Sequence, residues 1–213
     1  MNYRYHLFDC DGVILDSNKI KSEVFFETAS LYSTEHAERA TKYYKSTAGT
    51  PRIDKVYYFF EEILEIKVTD QLIEEFLKNF NKISLEKLFT CNRILGVESY
   101  LNMISLDSQS FVVSGAPQDE LRKILSKQGL STKFQEILGS PTEKANNIEY
   151  LMRKYNLSPK DCIFYGDSEV DYLSASEHGI DFIFVSEKSE FIGYQKFFIN
   201  KNVMIIKNFN ELI

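Results

Sequence analysis

The chain has 213 residues, 44% of them hydrophobic and 26% charged, which suits a globular protein with one good core and an inserted or appended lobe. A net charge of −6 argues against a reader of nucleic-acid backbones, which needs a basic face. No stretch approaches the roughly 20 apolar residues of a membrane span. Neither nucleic acid nor a membrane is therefore expected as a partner.

The N-terminus, MNYRYHLFDCDGV, runs straight into patterned strand with no apolar signal segment, and Cys10, Cys91 and Cys162 lack zinc or disulfide-framework spacing. A cytoplasmic protein with reduced thiols is the expectation. Tyr3 to Phe8 is short, aromatic and closed by Asp9-Cys10-Asp11-Gly12, as for a buried strand ending in a functional turn. After Ser17 the apolar spacing becomes helical over Glu23 to Tyr32, Glu35 to Ser46, Ile53 to Ile66 and Thr69 to Leu88. Only Ala48-Gly49-Thr50-Pro51 interrupts that run, and Tyr57, Tyr58, Phe59 and Phe60 are expected in the core of this helical lobe.

From Gly96 onward strand and helix signals alternate. Strands are expected at Ser110 to Val113, Phe134 to Leu138, Cys162 to Tyr165, Ile180 to Val185 and Val203 to Ile206. A helix over Gln118 to Lys127 ends near Gly129. Ser140-Pro141-Thr142-Glu143 reads as a capping box that opens a helix running to about Tyr155. Ser168 caps a helix that Gly179 closes. Alternating units of this length predict an α/β fold, a Rossmann-like parallel sheet with helices on both faces and an inserted all-α cap. The division expected is core over residues 1–15 and 86–213, with the cap over 16–85.

Four strand ends or helix starts carry polar residues that such a sheet gathers in one crevice. They are Asp9-Cys10-Asp11-Gly12-Val13, Ser114-Gly115, Lys144, and Gly166-Asp167-Ser168-Glu169-Val170-Asp171. Side chains one residue apart in extended chain point opposite ways, so a tight bend after Asp9 is needed to bring Asp11 into the same pocket. The Ser114 hydroxyl and nearby backbone N–H groups are placed to hold phosphoryl oxygens. Clustered carboxylates need a cation or a proton to offset their repulsion, and oxygen-only ligands beside a phosphate favour magnesium (Mg2+).

Together these motifs resemble the haloacid dehalogenase superfamily, most of whose members are phosphatases, over nearly the whole chain. The resemblance implies a hydrolase of a small phosphorylated metabolite, a sugar or carboxylate phosphate. Asp9 is then the nucleophile and forms an aspartyl phosphate, with Asp11 as general acid and base. Ser114 and Lys144 compensate phosphoryl charge, with Gly115 binding substrate beside them. Asp9, the Asp11 carbonyl and Asp167 hold the metal, with Asp171 in support. The helical lobe looks like the family's mobile cap, and Gly49-Thr50-Pro51-Arg52 resembles a cap loop whose arginine, here Arg52, meets a distal group of the substrate.

An acid at Asp11 favours phosphate esters over carbon–halogen or phosphonate bonds, because an alkoxide leaving group needs a proton. A sugar phosphomutase shares every core motif, but mutases often carry histidine where Lys21 stands. A signalling receiver domain would carry its acidic pair and acceptor in another order and lacks the large insertion. A monomer or weak homodimer is expected.

Overall fold

The structure, a computed structural model, describes residues 3–213. Among them six strands form one all-parallel sheet in the order β3-β2-β1-β4-β5-β6. They are β1 (Tyr5–Phe8), β2 (Gln109–Pro117), β3 (Glu136–Ser140), β4 (Cys162–Gly166), β5 (Asp181–Val185) and β6 (Met204–Ile206). β1 lies between β2 and β4, with Leu7 opposite both Phe111 and Phe164. Its flanks put every residue after Tyr5 out of water, and β4 is buried throughout, as expected for a parallel sheet covered on both faces.

The strand period of two sorts these apolar residues onto two cores. One face carries Phe8, Val112, Tyr165 and Ile183 against α5 (Val97–Ile104) and α6 (Gln118–Lys127). The other carries Leu7, Phe111, Phe164 and Phe184 against α7 (Lys144–Tyr155) and α8 (Glu169–Glu177). A short α9 (Tyr194–Phe198) adds Phe198 to the second core. Strand order reverses between β1 and β4, which opens a crevice at their carboxyl ends.

Between β1 and β2 the chain forms α1 (Asn18–Ser30), α2 (Ala37–Ser46), α3 (Arg52–Tyr58) and α4 (Asp70–Phe89). A π-helical turn, Phe59–Ile63, extends α3. These helices share a core of their own, centred on Phe25, Val56, Phe59, Phe60, Phe76 and Phe80. Phe59 and Phe60 are buried there as expected, whereas Tyr57 is exposed. The two passes of chain that join this lobe to the sheet pair with each other, Asp16 N–H donating to Asn92 O at 2.8 Å and Ile94 N–H to Ile14 O at 3.0 Å.

Two expectations need correction. Ser140 does not cap a helix. It closes β3 opposite Pro117, so its backbone is spent on the sheet. α7 begins only at Lys144, with Glu143 before it and no side-chain cap bond. α1 begins five residues before Glu23, at Asn18. Its first turn sends Asn18 and Lys21 to the crevice, so that only Ile20 there packs on the lobe core and no apolar period shows.

Candidate active site

Asp9 follows β1 directly, and its N–H donates to Tyr165 O at 2.9 Å, which ties it to β4. Cys10 then turns into the core, and the Ile14 and Leu15 N–H groups both close back on Cys10 O at 2.9 Å. This is the bend that swings Asp11 back to the pocket. Gly12 has φ +77°, and a Cβ there would lie 2.3 Å from Asp167 Oδ2. Only glycine lets the first motif pass this close to the end of β4.

Asp9 is buried, and its Oδ1 accepts from Lys144 Nζ at 2.8 Å. Its Oδ2 has no hydrogen-bond partner among the described residues. Lys144 also pairs with Asp171 Oδ1. The second Asp171 oxygen accepts from Asp167 N–H at 3.2 Å, Ser168 N–H at 3.0 Å and Ser168 Oγ at 2.6 Å. Ser168 and Asp171 thus form a capping box for α8 while Asp171 holds Lys144. Among the described residues only Asn18 Nδ2, at 2.6 Å, donates to the Asp167 carboxylate.

One carboxylate oxygen from each of Asp9, Asp167 and Asp171 falls within a 4.8 Å cluster. Burial pushes Asp9 up to about 6, although Lys144 opposes the shift. Burial, then the Asp9 and Asp171 charges, lift Asp167 well above the usual carboxylate range. Burial alone would discharge Lys144, but Asp171 and Asp9 hold it firmly protonated. Three carboxylates against one ammonium leave two negative charges uncompensated, and a divalent cation on hard oxygen donors offsets that number. The residues present fit magnesium.

Asp11 accepts from Ser17 Oγ at 2.5 Å and from Lys21 Nζ at 2.7 Å. Burial pushes its carboxyl up, but Lys21 and Ser17 more than reverse this and hold it below the usual range. Ser114 is buried in β2, and its Oγ accepts from Ala116 N–H at 3.3 Å. It is not a helix cap, because α6 starts only after Pro117. Gly115 is where the lobe touches the sheet. A Cβ on it would lie 2.3 Å from Gly49 O. Gly49 in turn has φ +87° and leaves no room for a Cβ, which would meet Ser168 Oγ at 2.5 Å. The loop over residues 48–51 therefore lies closed on the crevice. The cavity beneath measures about 50 Å³, with Asp9, Asp11, Ser114 and Asp167 on one side and Tyr44, Arg52 and Lys55 on the other.

Arg52 reaches this cavity, but its guanidinium is already engaged. Nη2 and Nη1 donate to the two Glu120 oxygens at 2.8 and 3.0 Å, Nη1 also reaches Asn81 Oδ1 at 2.8 Å, and Phe80 lies beneath at 3.9 Å. Lys21 adds a longer contact to Glu120, at 3.7 Å. Asp16 pairs with Lys188 at 2.8 Å and supports the lobe junction. Sequence reading did not find Asn18, Tyr44, Lys55, Glu120 or Glu190. The one available signal was the polar spacing Asn18, Lys21, Ser22 along a single helix face. Glu190, which accepts from Ser22 Oγ at 2.9 Å, comes from a loop with no such signal.

A family model described as haloacid dehalogenase-like hydrolase matches residues 6–185. The chain belongs to this family. It is an enzyme of the hydrolase type. No curated protein sequence matches the chain. Among solved structures, a predicted phosphoglycolate phosphatase from Haemophilus somnus 129pt is 18% identical, with a TM-score of 0.79 over 100% of this chain and 97% of that one. A predicted phosphatase from Clostridium acetobutylicum is 20% identical, with a TM-score of 0.76 over 100% and 97%. A beta-phosphoglucomutase from Clostridium difficile is 16% identical, with a TM-score of 0.76 over 99% and 93%. Identities this low show a common fold. No helix among the described residues is long and apolar enough to cross a membrane.

Proposed function

We propose that this hydrolase is a magnesium-dependent phosphomonoesterase of a small phosphorylated metabolite, a sugar or carboxylate phosphate, acting through an aspartyl phosphate on Asp9. The observation that carries the reading is the condition of Asp9. One oxygen is fixed by Lys144, the other has no partner among the described residues, and Asp9 lines a pocket with Ser114, Asp11 and Asp167.

In this reading Asp9 Oδ2 attacks phosphorus while the ester P–O bond breaks, and the leaving oxygen takes a proton from Asp11. Water then attacks the aspartyl phosphate, gives its proton to Asp11 and frees phosphate. The Lys21 and Ser17 contacts keep Asp11 ionised, which suits the second step directly. The first step requires Asp11 to take up a proton and leave Lys21 as substrate enters. Ser114, which lines the pocket, would hold a phosphoryl oxygen, and Lys144, bound to Asp9 Oδ1, would compensate phosphoryl charge from behind it. Asp9, Asp167 and the Asp11 carbonyl would hold magnesium, which supplies positive charge to the phosphoryl group when bound. Both Asp171 oxygens are already engaged, so its part is to position Lys144 and the Asp167 turn. We read residues 16–85 as the cap, turning on the paired passes near Asp16 and Asn92. The free Cys10, Cys91 and Cys162 support a cytoplasmic setting.

The test is phosphate release from p-nitrophenyl phosphate. Turnover should require magnesium, stop with excess chelator and vanish in Asp9→Asn. Full activity in chelator, or in that variant, would refute the reading.

A further inference from the structure

Four cationic side chains, Lys21, Arg52, Lys55 and Lys144, are buried around the site. Lys144 belongs to Asp9 and Asp171. Lys55, 4.1 Å from the centroid of the Tyr44 ring, has no hydrogen bond or ion pair among the described residues. Burial, reinforced by Lys21 and Arg52, pushes it down to about 7, so at neutral pH it carries only part of a charge. Lys21 and Arg52 remain as the full charges of the lobe, and they face two carboxylates, Asp11 after β1 and Glu120 after β2.

These two pairs are not independent. Glu120 is buried in the first turn of α6, where no motif marks it. Arg52 Nη2 donates to its Oε1 at 2.8 Å and Nη1 to its Oε2 at 3.0 Å. The same Oε1 lies 3.7 Å from Lys21 Nζ, which donates to Asp11 Oδ2 at 2.7 Å. One ammonium thus spans both carboxylates, and Arg52 lines the same cavity as Asp11. A buried ion pair adds little net stability over an apolar pair of the same volume, so stability alone does not account for Glu120. Its charge has a second effect. Without it the guanidinium is buried and unpaired, and Asp11 is the next carboxylate whose charge reaches it.

We propose that Glu120 is a positioning residue for the reaction: by occupying Arg52 it keeps that guanidinium off Asp11, which is then held by Ser17 and Lys21 alone. The inference rests on the phosphomonoesterase reading, in which Asp11 moves the protons, and adds a residue that touches neither phosphate nor metal. An amide at position 120 keeps the volume and loses the charge. Arg52 then turns its planar fork on Asp11, whose oxygens such a fork can bind in pairs. Hydrolysis of the aspartyl phosphate suffers most, because the attacking water must reach Asp11. Transfer from an aryl ester suffers least, because its leaving group needs no proton.

The experiment gives p-nitrophenyl phosphate and magnesium to the parent, Glu120→Gln, Glu120→Asp, and Glu120→Gln combined with Arg52→Gln. Rapid quench follows formation and decay of the phosphoenzyme, two rate constants to which only folded sites contribute. Glu120→Gln should form it within threefold of the parent rate. Decay should slow tenfold or more, a part of the roughly 10²–10⁴-fold that proton transfer contributes. Glu120→Asp, which keeps the charge, should decay within threefold of the parent. So should the double variant, from which the competing cation is gone. A merely structural Glu120 would change the amount of phosphoenzyme and leave its decay alone, and that result overturns the assignment. A slow decay that Arg52→Gln does not relieve also overturns it. If Glu120→Gln does not fold, a tenfold slower decay in either of the other two variants overturns it, and parent-like decay in both supports it. A second arm needs no turnover: a crystal structure of Glu120→Gln should show Arg52 donating to Asp11, and Arg52 left on residue 120 overturns the inference. If the parent forms no phosphoenzyme and releases no phenolate, the phosphomonoesterase reading fails instead, and the crystal structure still decides where Glu120 keeps Arg52.

Discussion

Asp9 and Asp11 are two residues apart, yet their neighbours give them opposite characters. Asp9 has one bound and one unpartnered oxygen, while both Asp11 oxygens are engaged, by Ser17 and Lys21. Asp9→Asn should lower turnover to background. In the proposed mechanism Asp11→Asn keeps the nucleophile and the backbone carbonyl and loses only proton transfer, typically about 10²–10⁴-fold, or roughly 3–5 kcal/mol of barrier. Given an aryl phosphate, whose phenol leaves without help, Asp11→Asn should release a burst of about one phenolate per site and then stall as phosphoenzyme. Mass spectrometry of the quenched protein checks this, and an adduct anywhere but Asp9 would reverse the roles. Arg52 makes a contrasting case, because its resemblance-based role and its contacts differ. Arg52→Ala strands Glu120 in a buried site with only the longer Lys21 contact, and breaking such pairs costs about 3–5 kcal/mol. Urea unfolding should show a loss of that order, with aryl and natural-type esters suffering alike. The gathering of Asp9, Asp11, Ser114 and Asp167 in one pocket was legible because type, order and strand-end position all agree. Lys55 was not, since nothing in one sequence shows that a lysine on an amphipathic helix lacks a counter-charge.

At the level of elements, legibility followed the periodic burial of apolar residues. β4 is an apolar run throughout and β5 one after its exposed first residue, Asp181, and both appear within a residue or so of expectation. Where local polar chemistry was the only guide, the reading slipped: Ser140 matched a helix cap but was claimed by the ladder to β2. α5 went unnamed because its short apolar face is completed by Phe209, far along the chain. β1 itself offers a test of burial. His6 stacks 5.9 Å from the Tyr165 ring, with Nδ1 and Tyr165 OH 3.0 Å apart and Nε2 3.2 Å from Tyr3 O. Burial pushes its imidazole down from 6.5 to about 4, against a small opposing effect of the Tyr3 carbonyl. Between those values the unfolded chain binds a proton that the folded one refuses, so stability falls as pH drops from 6.5 to 4. At about 1.4 kcal/mol per pKa unit, the share of His6 is at most about 3 kcal/mol. Unfolding free energies at pH 7 and 4.5 should differ less in His6→Gln than in the parent by up to that amount. Equal acid losses would place the effect in other groups.

For the molecule as a whole, the sheet and the lobe meet over a pocket whose charges do not balance by themselves. Asp9, Asp167 and Asp171 cluster around one lysine, and among the described residues the neutral Asn18 amide is the one donor to the Asp167 carboxylate. Folding therefore carries the cost of this acidic cluster, either as repulsion or as uptake of a proton, unless a cation is present. Two measurable consequences follow from the same imbalance. Magnesium, which gains its site only in the folded state, should stabilise by RT ln(1 + [Mg]/Kd), about 2.7 kcal/mol at a hundredfold excess over Kd. Asp167→Asn removes one carboxylate at nearly constant volume and keeps a group that the Asn18 side chain can meet. Without metal this variant should melt above the parent. With saturating magnesium the order should reverse, because the parent gains and the variant does not. A thermal melt series from zero to saturating magnesium on both proteins gives two curves that cross if the acidic cluster is a metal site. If Asp167→Asn lowers the melting temperature without metal, the carboxylate is holding the fold through contacts of its own. If both proteins gain equally, magnesium binds away from Asp167, and the charge argument for the site fails.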